Sequence, residues 1–171
     1  MPLKPDQKSY NNLLNCYANS PNPSKYAPLA QQKLEWMHLQ DDASLKPSRI
    51  SYGIVLGAWC KAGLPQKADG LLRDISRLYR DSKTSIVAPH VGLFITVIAG
   101  WAVSKDPQAP QRVEALLKMM EDLHDKEGLE TKPNQIAYNA FLNCLSRSGN
   151  PNAAQRAESV LRHMQKEWRA G

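Results

Sequence analysis

Histidine and cysteine are the side chains of this sequence best suited to metal or covalent chemistry. No two histidines have the HxxxH spacing that places two metal ligands on one face of a helix. The cysteines are odd in number and far apart, which excludes a CxxC metal site and a disulfide framework and favours a reducing compartment. We interpret the histidines as surface or partly buried residues, and Cys16 and Cys144 as small buried ones. The full set is His38, His90, His124, His163, Cys16, Cys60 and Cys144.

The acidic residues lack the arrangement that a metal-dependent nuclease needs, because that chemistry requires carboxylates that converge on bound ions. They cluster instead towards the ends of predicted helices, where we interpret them as solvated charges. A Gly-rich phosphate loop and a nucleophile elbow are also missing from the sequence. We therefore predict a protein that is not an enzyme, with no catalytic residue, metal, cofactor or small-molecule substrate. The clustered acids are Asp41, Asp42, Glu121, Asp122, Asp125 and Glu127.

A repeat of 42 to 44 residues runs through the chain, marked by a proline and by an aromatic residue five positions later. Apolar residues follow three, four and seven positions after each aromatic, which is the spacing of one face of an amphipathic helix. Such a period changes the fold prediction for the whole chain. The markers are Pro5, Pro47, Pro89 and Pro133, with Tyr10, Tyr52, Phe94 and Tyr138.

A second helical pattern follows in every repeat, and Pro/Gly-rich breakers such as "AGLP" at 62–65 and "SGNPN" at 148–152 separate the two helices. A single helical hairpin of this kind cannot bury its own apolar face, so neighbouring hairpins must stack. No stretch alternates with period two. We predict an all-α fold, an α-solenoid of four antiparallel helix-turn-helix hairpins with about eight helices. It forms one helical-repeat domain over residues 1–171, with units at 7–48, 49–90, 91–134 and 135–171.

The repeated text resembles the pentatricopeptide repeat family. The resemblance rests on "KPDQKSYNNLLNCYANS", "KPSRISYGIVLGAWCKAG" and "KPNQIAYNAFLNCLSRSG", each followed by a second helix with the pattern A-x-x-L-L/V-x-x-M. The repeats here are longer than the usual unit of that family. The resemblance implies binding of single-stranded RNA at one base per repeat, with the first helices lining a concave groove.

In that family, two positions of each repeat read the base: the residue after the aromatic and the residue after the closing proline. At the position after the aromatic, the first and fourth repeats therefore have a polar side chain that could read a base. The second and third repeats have none. Gly53 and Ile95 cannot read a base edge in the usual way, because neither has a polar side-chain atom. The implied readers are Asn11 with Ser48, Gly53 with His90, Ile95 with Asn134, and Asn139 with an unassigned partner.

A further column, two residues before each aromatic, sandwiches the bases in the family and holds Lys8, Ile50, Gly92 and Ile136 here. Of these, Lys8, Ile50 and Ile136 are predicted to contact bases, whereas Gly92 has no side chain to stack.

Binding of the RNA phosphate backbone needs cationic side chains on the same helices. We predict Lys61 and Arg147 as phosphate contacts, with Arg49 and Lys105 as additional candidates.

The formal net charge of +6 favours an anionic partner. Our first hypothesis is a non-catalytic RNA-binding protein that acts on an organellar transcript in RNA processing, stability or translation. Other proteins of an RNA-processing or ribosomal complex are further expected partners. The alternative is a protein-interaction scaffold of the same fold that has lost RNA recognition, which Gly53 and Ile95 favour.

The resemblance suggests a mitochondrion or plastid as the location. No targeting segment and no membrane-length apolar run are visible, so we expect a soluble protein without a membrane partner. The chain starts directly on a repeat. That start fits a fragment, a mature form, or a segment of a longer array.

Overall fold

The computed structural model describes residues 3–82 and 88–170. Over these residues the chain forms eight α-helices and one short 3₁₀ turn, and the described part contains no strand. The all-α prediction is confirmed. The helices are α1 (Gln7–Ala18), α2 (Pro23–Leu39), α3 (Arg49–Lys61), α4 (Pro65–Ser82), α5 (Val91–Val103), α6 (Ala109–Glu127), α7 (Gln135–Arg147) and α8 (Ala153–Ala170), and the 3₁₀ turn is Ala43–Leu45.

The helix ends follow from the local sequence. The first helix of each repeat begins two residues after the repeat's proline, once the restricted proline backbone has been passed. Gly63, Gly128 and Gly149 follow helices in the left-handed conformation, with φ of 73°, 66° and 62°, where a side chain would be strained. Two of these glycines lie within the predicted breakers.

The chain divides into two compact units, Met1–Val97 and Ile98–Gly171, and the boundary falls within α5. In the first unit, α3 is the central helix and packs against α1, α2 and α4. Leu14, Leu34, Met37, Leu56 and Leu72 form its core and are almost fully buried. Stacking of one hairpin on the next is the packing of an α-solenoid.

In the second unit, α7 packs against α6 and α8. Trp101, Val113, Leu116, Met120 and Leu145 are buried there. None of the described residues of α8 is fully buried, in contrast to α4, the corresponding second helix of the first unit. The predicted ends of the domain at residues 1–2 and 171, and residues 83–87 of the second repeat, lie outside the described residues.

Candidate nucleic-acid interface

The residue after each repeat proline directly precedes a first helix, and at three of the four positions its side chain accepts a hydrogen bond from the first turn of that helix. Asp6 Oδ1 accepts from the backbone N–H of Ser9 at 2.8 Å, and Asn134 Oδ1 accepts from that of Ala137 at 3.1 Å. His90 Nδ1 accepts from the backbone N–H of Gly92 at 3.0 Å. The capping role was missed in the sequence, although Asp, Ser and Asn directly before an apolar helical period are its usual signal. The polar type at these positions therefore has a structural cause that is independent of any ligand.

Asn11 and Ser48, the reader pair implied for the first repeat, are joined through the buried Ser51. The hydroxyl of Ser51 donates to Asn11 Oδ1 at 2.6 Å and accepts from the backbone N–H of Ser48 at 3.0 Å. Asn11 is half-buried, and its Nδ2 has no hydrogen-bond partner within residues 3–82 and 88–170. Its carbonyl oxygen is thus fixed to α3, while its amide nitrogen offers donors for an acceptor on a ligand.

The residues implied for the second repeat line one concavity of about 490 Å³ in the first unit. It lies where the first turns of α3 and α5 face each other, and Gly53 and Gly92 contribute no side chain to it. A Cβ atom placed on Gly53 would lie 3.5 Å from Leu93 Cδ2, an ordinary contact. One placed on Gly92 would lie 2.8 Å from His90 Cε1, so the His90 ring occupies space that only glycine leaves open. The full lining is Arg49, Ile50, Gly53, His90, Gly92, Leu93 and Thr96.

The positions two residues before each aromatic, which sandwich bases in the family, include two apolar side chains that are exposed to solvent. Each is the second residue of a first helix. Ile50 on α3 is 66% exposed and Ile136 on α7 is 60% exposed, and Lys8 is exposed at the same place on α1. Neither isoleucine is needed for the core. Both are accessible to a flat ligand surface such as a nucleobase.

Ile95 and Asn134, the pair implied for the third repeat, belong to different compact units of the structure. Ile95 is half-buried on α5, and Asn134 is exposed at the start of α7. Asn139 is exposed on α7, and its side chain makes no hydrogen bond within the described residues. The roles of these residues in base reading stay predictions.

The two cations predicted to contact phosphate differ in their surroundings. Lys61 Nζ donates to Asn19 Oδ1 at 2.7 Å and to the Ala18 carbonyl oxygen at 3.3 Å, at the negative end of α1. It therefore links α3 to α1 while remaining exposed. Arg147 is exposed in the last turn of α7 and, over the described part of the chain, makes no ion pair. It lines a small concavity of about 110 Å³ together with Lys105.

The remaining chemistry-capable side chains are mostly structural. Cys144 is 3% exposed, as predicted, but the prediction for Cys16 is wrong, because this residue is exposed on α1. Burial raises the pKa of the Cys60 thiol to about 11. His38 Nε2 hydrogen-bonds the buried Tyr52 hydroxyl, which joins α2 to α3. Among the described residues, no three His, Cys, Asp or Glu side chains come together to hold a metal ion.

A larger concavity of about 760 Å³ lies between α6, α7 and α8 in the second unit. Tyr138 lies in its wall, and its hydroxyl is 3.3 Å from Glu121 Oε1 and 3.0 Å from His163 Nε2. Burial and the nearby Glu121 carboxylate raise the pKa of Tyr138 to about 12. Asp125 also lines this cleft, as does Trp168, which is 82% exposed. The cleft is a second candidate for a ligand or partner.

The sequence matches the family model of the PPR repeat over residues 50–78 and 136–168. These two segments correspond to the hairpins α3–α4 and α7–α8. Comparison with curated proteins gives no match. No helix in the described part of the chain is long and apolar enough to cross a membrane.

PPR proteins are helical-repeat proteins that bind RNA, are generally non-catalytic and typically work in organelles. The two matches lie on hairpins whose helices and breakers agree with the repeat found in the sequence. The matches at these two hairpins support the assignment of the chain to the pentatricopeptide repeat family.

Proposed function

We propose that this chain is a non-catalytic protein that binds single-stranded RNA through the exposed residues of its first helices. The repeats at 7–48, 49–90, 91–134 and 135–171 act as one helical-repeat domain with about one base per repeat. The target is an organellar transcript, bound for its processing, stability or translation in a mitochondrion or plastid. Other proteins of an RNA-processing or ribosomal complex are expected to act with it.

The observation that carries this proposal is the concavity at the second repeat. Ile50, Gly53 and His90 occupy the sandwich and reader positions that the family resemblance implies for the second repeat, and all three line the same concavity. The exposed Ile50 and Ile136 offer apolar surface for stacking, and the free amide of Asn11 offers hydrogen-bond donors. A formal charge of +6 favours association with a polyanion.

Fluorescence anisotropy with a random single-stranded RNA pool tests the proposal, with KCl raised stepwise from low ionic strength. We expect binding that weakens as salt increases, because phosphate contacts release counterions. The Ile50→Ala/Ile136→Ala double variant should bind several-fold more weakly. Leu39→Ala is the matched control, because Leu39 is 81% exposed but lies at the end of a second helix.

Absence of salt-sensitive binding at low ionic strength would exclude RNA binding by this chain. Incubation of end-labelled RNA with the protein and Mg²⁺ checks the non-catalytic part, and we expect the RNA to stay intact. Cell fractionation with a tagged protein checks the organellar location.

A scaffold that binds another protein is the second candidate function, favoured by the cleft between α6, α7 and α8. Three carboxylates, from Glu121, Asp125 and Glu167, line it beside the exposed Trp168, in a chain that is basic overall. Lys132 also lines the cleft and pairs with Glu167 at 3.3 Å, so the charge of two carboxylates is left without an opposing lysine or arginine in the described lining. Such a cleft fits a basic, partly apolar peptide segment better than RNA. Quenching of Trp168 fluorescence by Lys/Arg-rich peptides, absent with acidic peptides of equal length and in Trp168→Phe, would support this function.

A further inference from the structure

The concavity between α3 and α5 is larger than it would be if a polar side chain that reads the base edge projected into it. Gly53 stands where a polar reader is expected, and Gly92 stands where an aliphatic residue is expected. We propose that the second repeat selects a purine base by the space it offers and not by hydrogen bonds from a reader on the helix. This inference rests on the proposed RNA-binding function and adds base selectivity to it.

Gly53 is not explained by the fold. Its backbone lies within α3 and not in the left-handed region, and a Cβ atom there would make only an ordinary contact with Leu93. A glycine inside a helix destabilises that helix relative to alanine, because its backbone loses more freedom on folding. The helix thus retains a destabilising residue at a position where a larger side chain would fit, and the effect of that residue is to keep the concavity open.

The lining of the concavity suits apolar contact with a ligand. The exposed Ile50 and the Leu93 side chain are apolar. Thr96 Oγ1 donates to the Gly92 carbonyl oxygen at 2.9 Å and His90 Nδ1 accepts from the Gly92 N–H at 3.0 Å, so these two polar atoms bond to α5 itself. A base in this space is therefore recognised by its fit to the concavity and by the apolar area that it buries.

The size of the space favours the larger bases. At about 490 Å³ the concavity falls within the range of small-molecule sites. A purine has two fused rings, so it covers more of Ile50 and Leu93 than a pyrimidine does, and stabilisation by burial increases with area. The exposed guanidinium of Arg49 lines the same concavity and is placed to meet the phosphate of the bound nucleotide.

A uridine dodecamer with one central adenosine tests the selection. The protein can shift along the uridines, so the single purine reaches whichever repeat prefers it. We expect the wild type to bind this RNA about 3- to 10-fold more tightly than the all-uridine dodecamer or one with a central cytidine. Gly53→Asn, which fills the space and restores a polar reader, should remove the preference, and Gly53→Ala should reduce it.

Gly57→Ala is the matched control. Gly57 lies one turn further along α3, a Cβ atom there meets nothing within 4 Å, and the residue does not line the concavity. This variant gains the same helix propensity and should keep the purine preference. Circular dichroism and thermal unfolding of each variant establish that it is folded.

The outcomes separate this inference from the proposed function. Salt-sensitive binding of all three RNAs with equal affinity, or a purine preference that survives in Gly53→Asn, would overturn the inference and leave RNA binding intact. Absence of binding to any of the three would overturn both.

Discussion

Asn134 and Asn139 separate two uses of asparagine within one repeat. Asn134 caps α7 by accepting a hydrogen bond from the N–H of Ala137, whereas the Asn139 side chain is exposed and makes no hydrogen bond within the described residues. We expect Asn134→Ala to lower the free energy of unfolding by about 0.5–2 kcal/mol, because the cap is lost. Asn139→Ala should leave stability unchanged and weaken RNA binding. Urea unfolding and anisotropy, run on both variants, measure the two effects, and equal losses of stability would contradict this division of roles.

His38 gives unfolding a pH dependence near neutrality. Burial, and after it the charge of Lys46, lower the pKa of His38 below its ordinary value of 6.5. The unfolded chain therefore binds this proton more readily than the folded chain. Its contribution to stability is complete above pH 6.5 and is lost as the pH falls through 6.5 towards the folded pKa.

We expect the free energy of unfolding to decrease between about pH 7.5 and 5, and to decrease less in His38→Gln. Urea titrations at several pH values measure this difference. The carboxylate pKa values that the structure lowers, at Asp6 and Asp42, start from 3.8 and act below this window. An identical slope in the variant and the wild type would contradict the assignment to His38.

The second helices carry the same apolar columns but are buried to different extents. Leu72 on α4 is fully buried, whereas Leu161, at the matching position of α8, is 49% exposed. The two leucines form a matched pair, because their repeat position is the same and only their burial differs.

Leu72→Ala should cost about 2–5 kcal/mol of unfolding free energy, since it removes buried methyl groups and leaves a cavity. Leu161→Ala should cost less than about 1 kcal/mol, because the leucine is already half in water. Hydrogen exchange should likewise be faster in α8 than in α4. Equal destabilisation by the two substitutions would show that α8 is packed as tightly as α4.

At the scale of the whole molecule, the predicted phosphate contacts determine the salt dependence of RNA binding. For single strands, each phosphate contact contributes about 0.7 to the slope of log affinity against log salt concentration. Arg147→Met should lower that slope by about 0.7, since Arg147 is exposed and unpaired within the described residues. Arg162→Met removes the same charge from α8, a second helix, and should leave the slope unchanged. Equal slopes for the two variants would remove Arg147 from the interface.

Lys61 is expected to combine two roles, because it also hydrogen-bonds the end of α1. Its substitution would therefore change stability as well as affinity. For that reason Arg147 is the sharper probe of phosphate binding.

The sequence by itself determined the repeat and the hairpins, and its prolines and glycines lie close to most helix ends in the structure. Proline restricts the backbone, apolar residues at helical spacing mark a buried face, and glycine ends a helix, and all of these act over a few residues. This is why α1, α3, α5 and α7 each begin two residues after a repeat proline. The positions of the implied readers, by contrast, came from the family resemblance and not from these local signals.

The tertiary structure decided what surrounds those positions. Ser51 bridges Asn11 and Ser48, Lys61 reaches the end of α1, and Cys16 lies in solvent although Cys144, in the same column, is buried. The concavity at Gly53 exists only because α5 faces α3 across it. Burial and hydrogen-bond partners depend on residues some 40 positions away, so the local sequence pattern of one repeat cannot predict them.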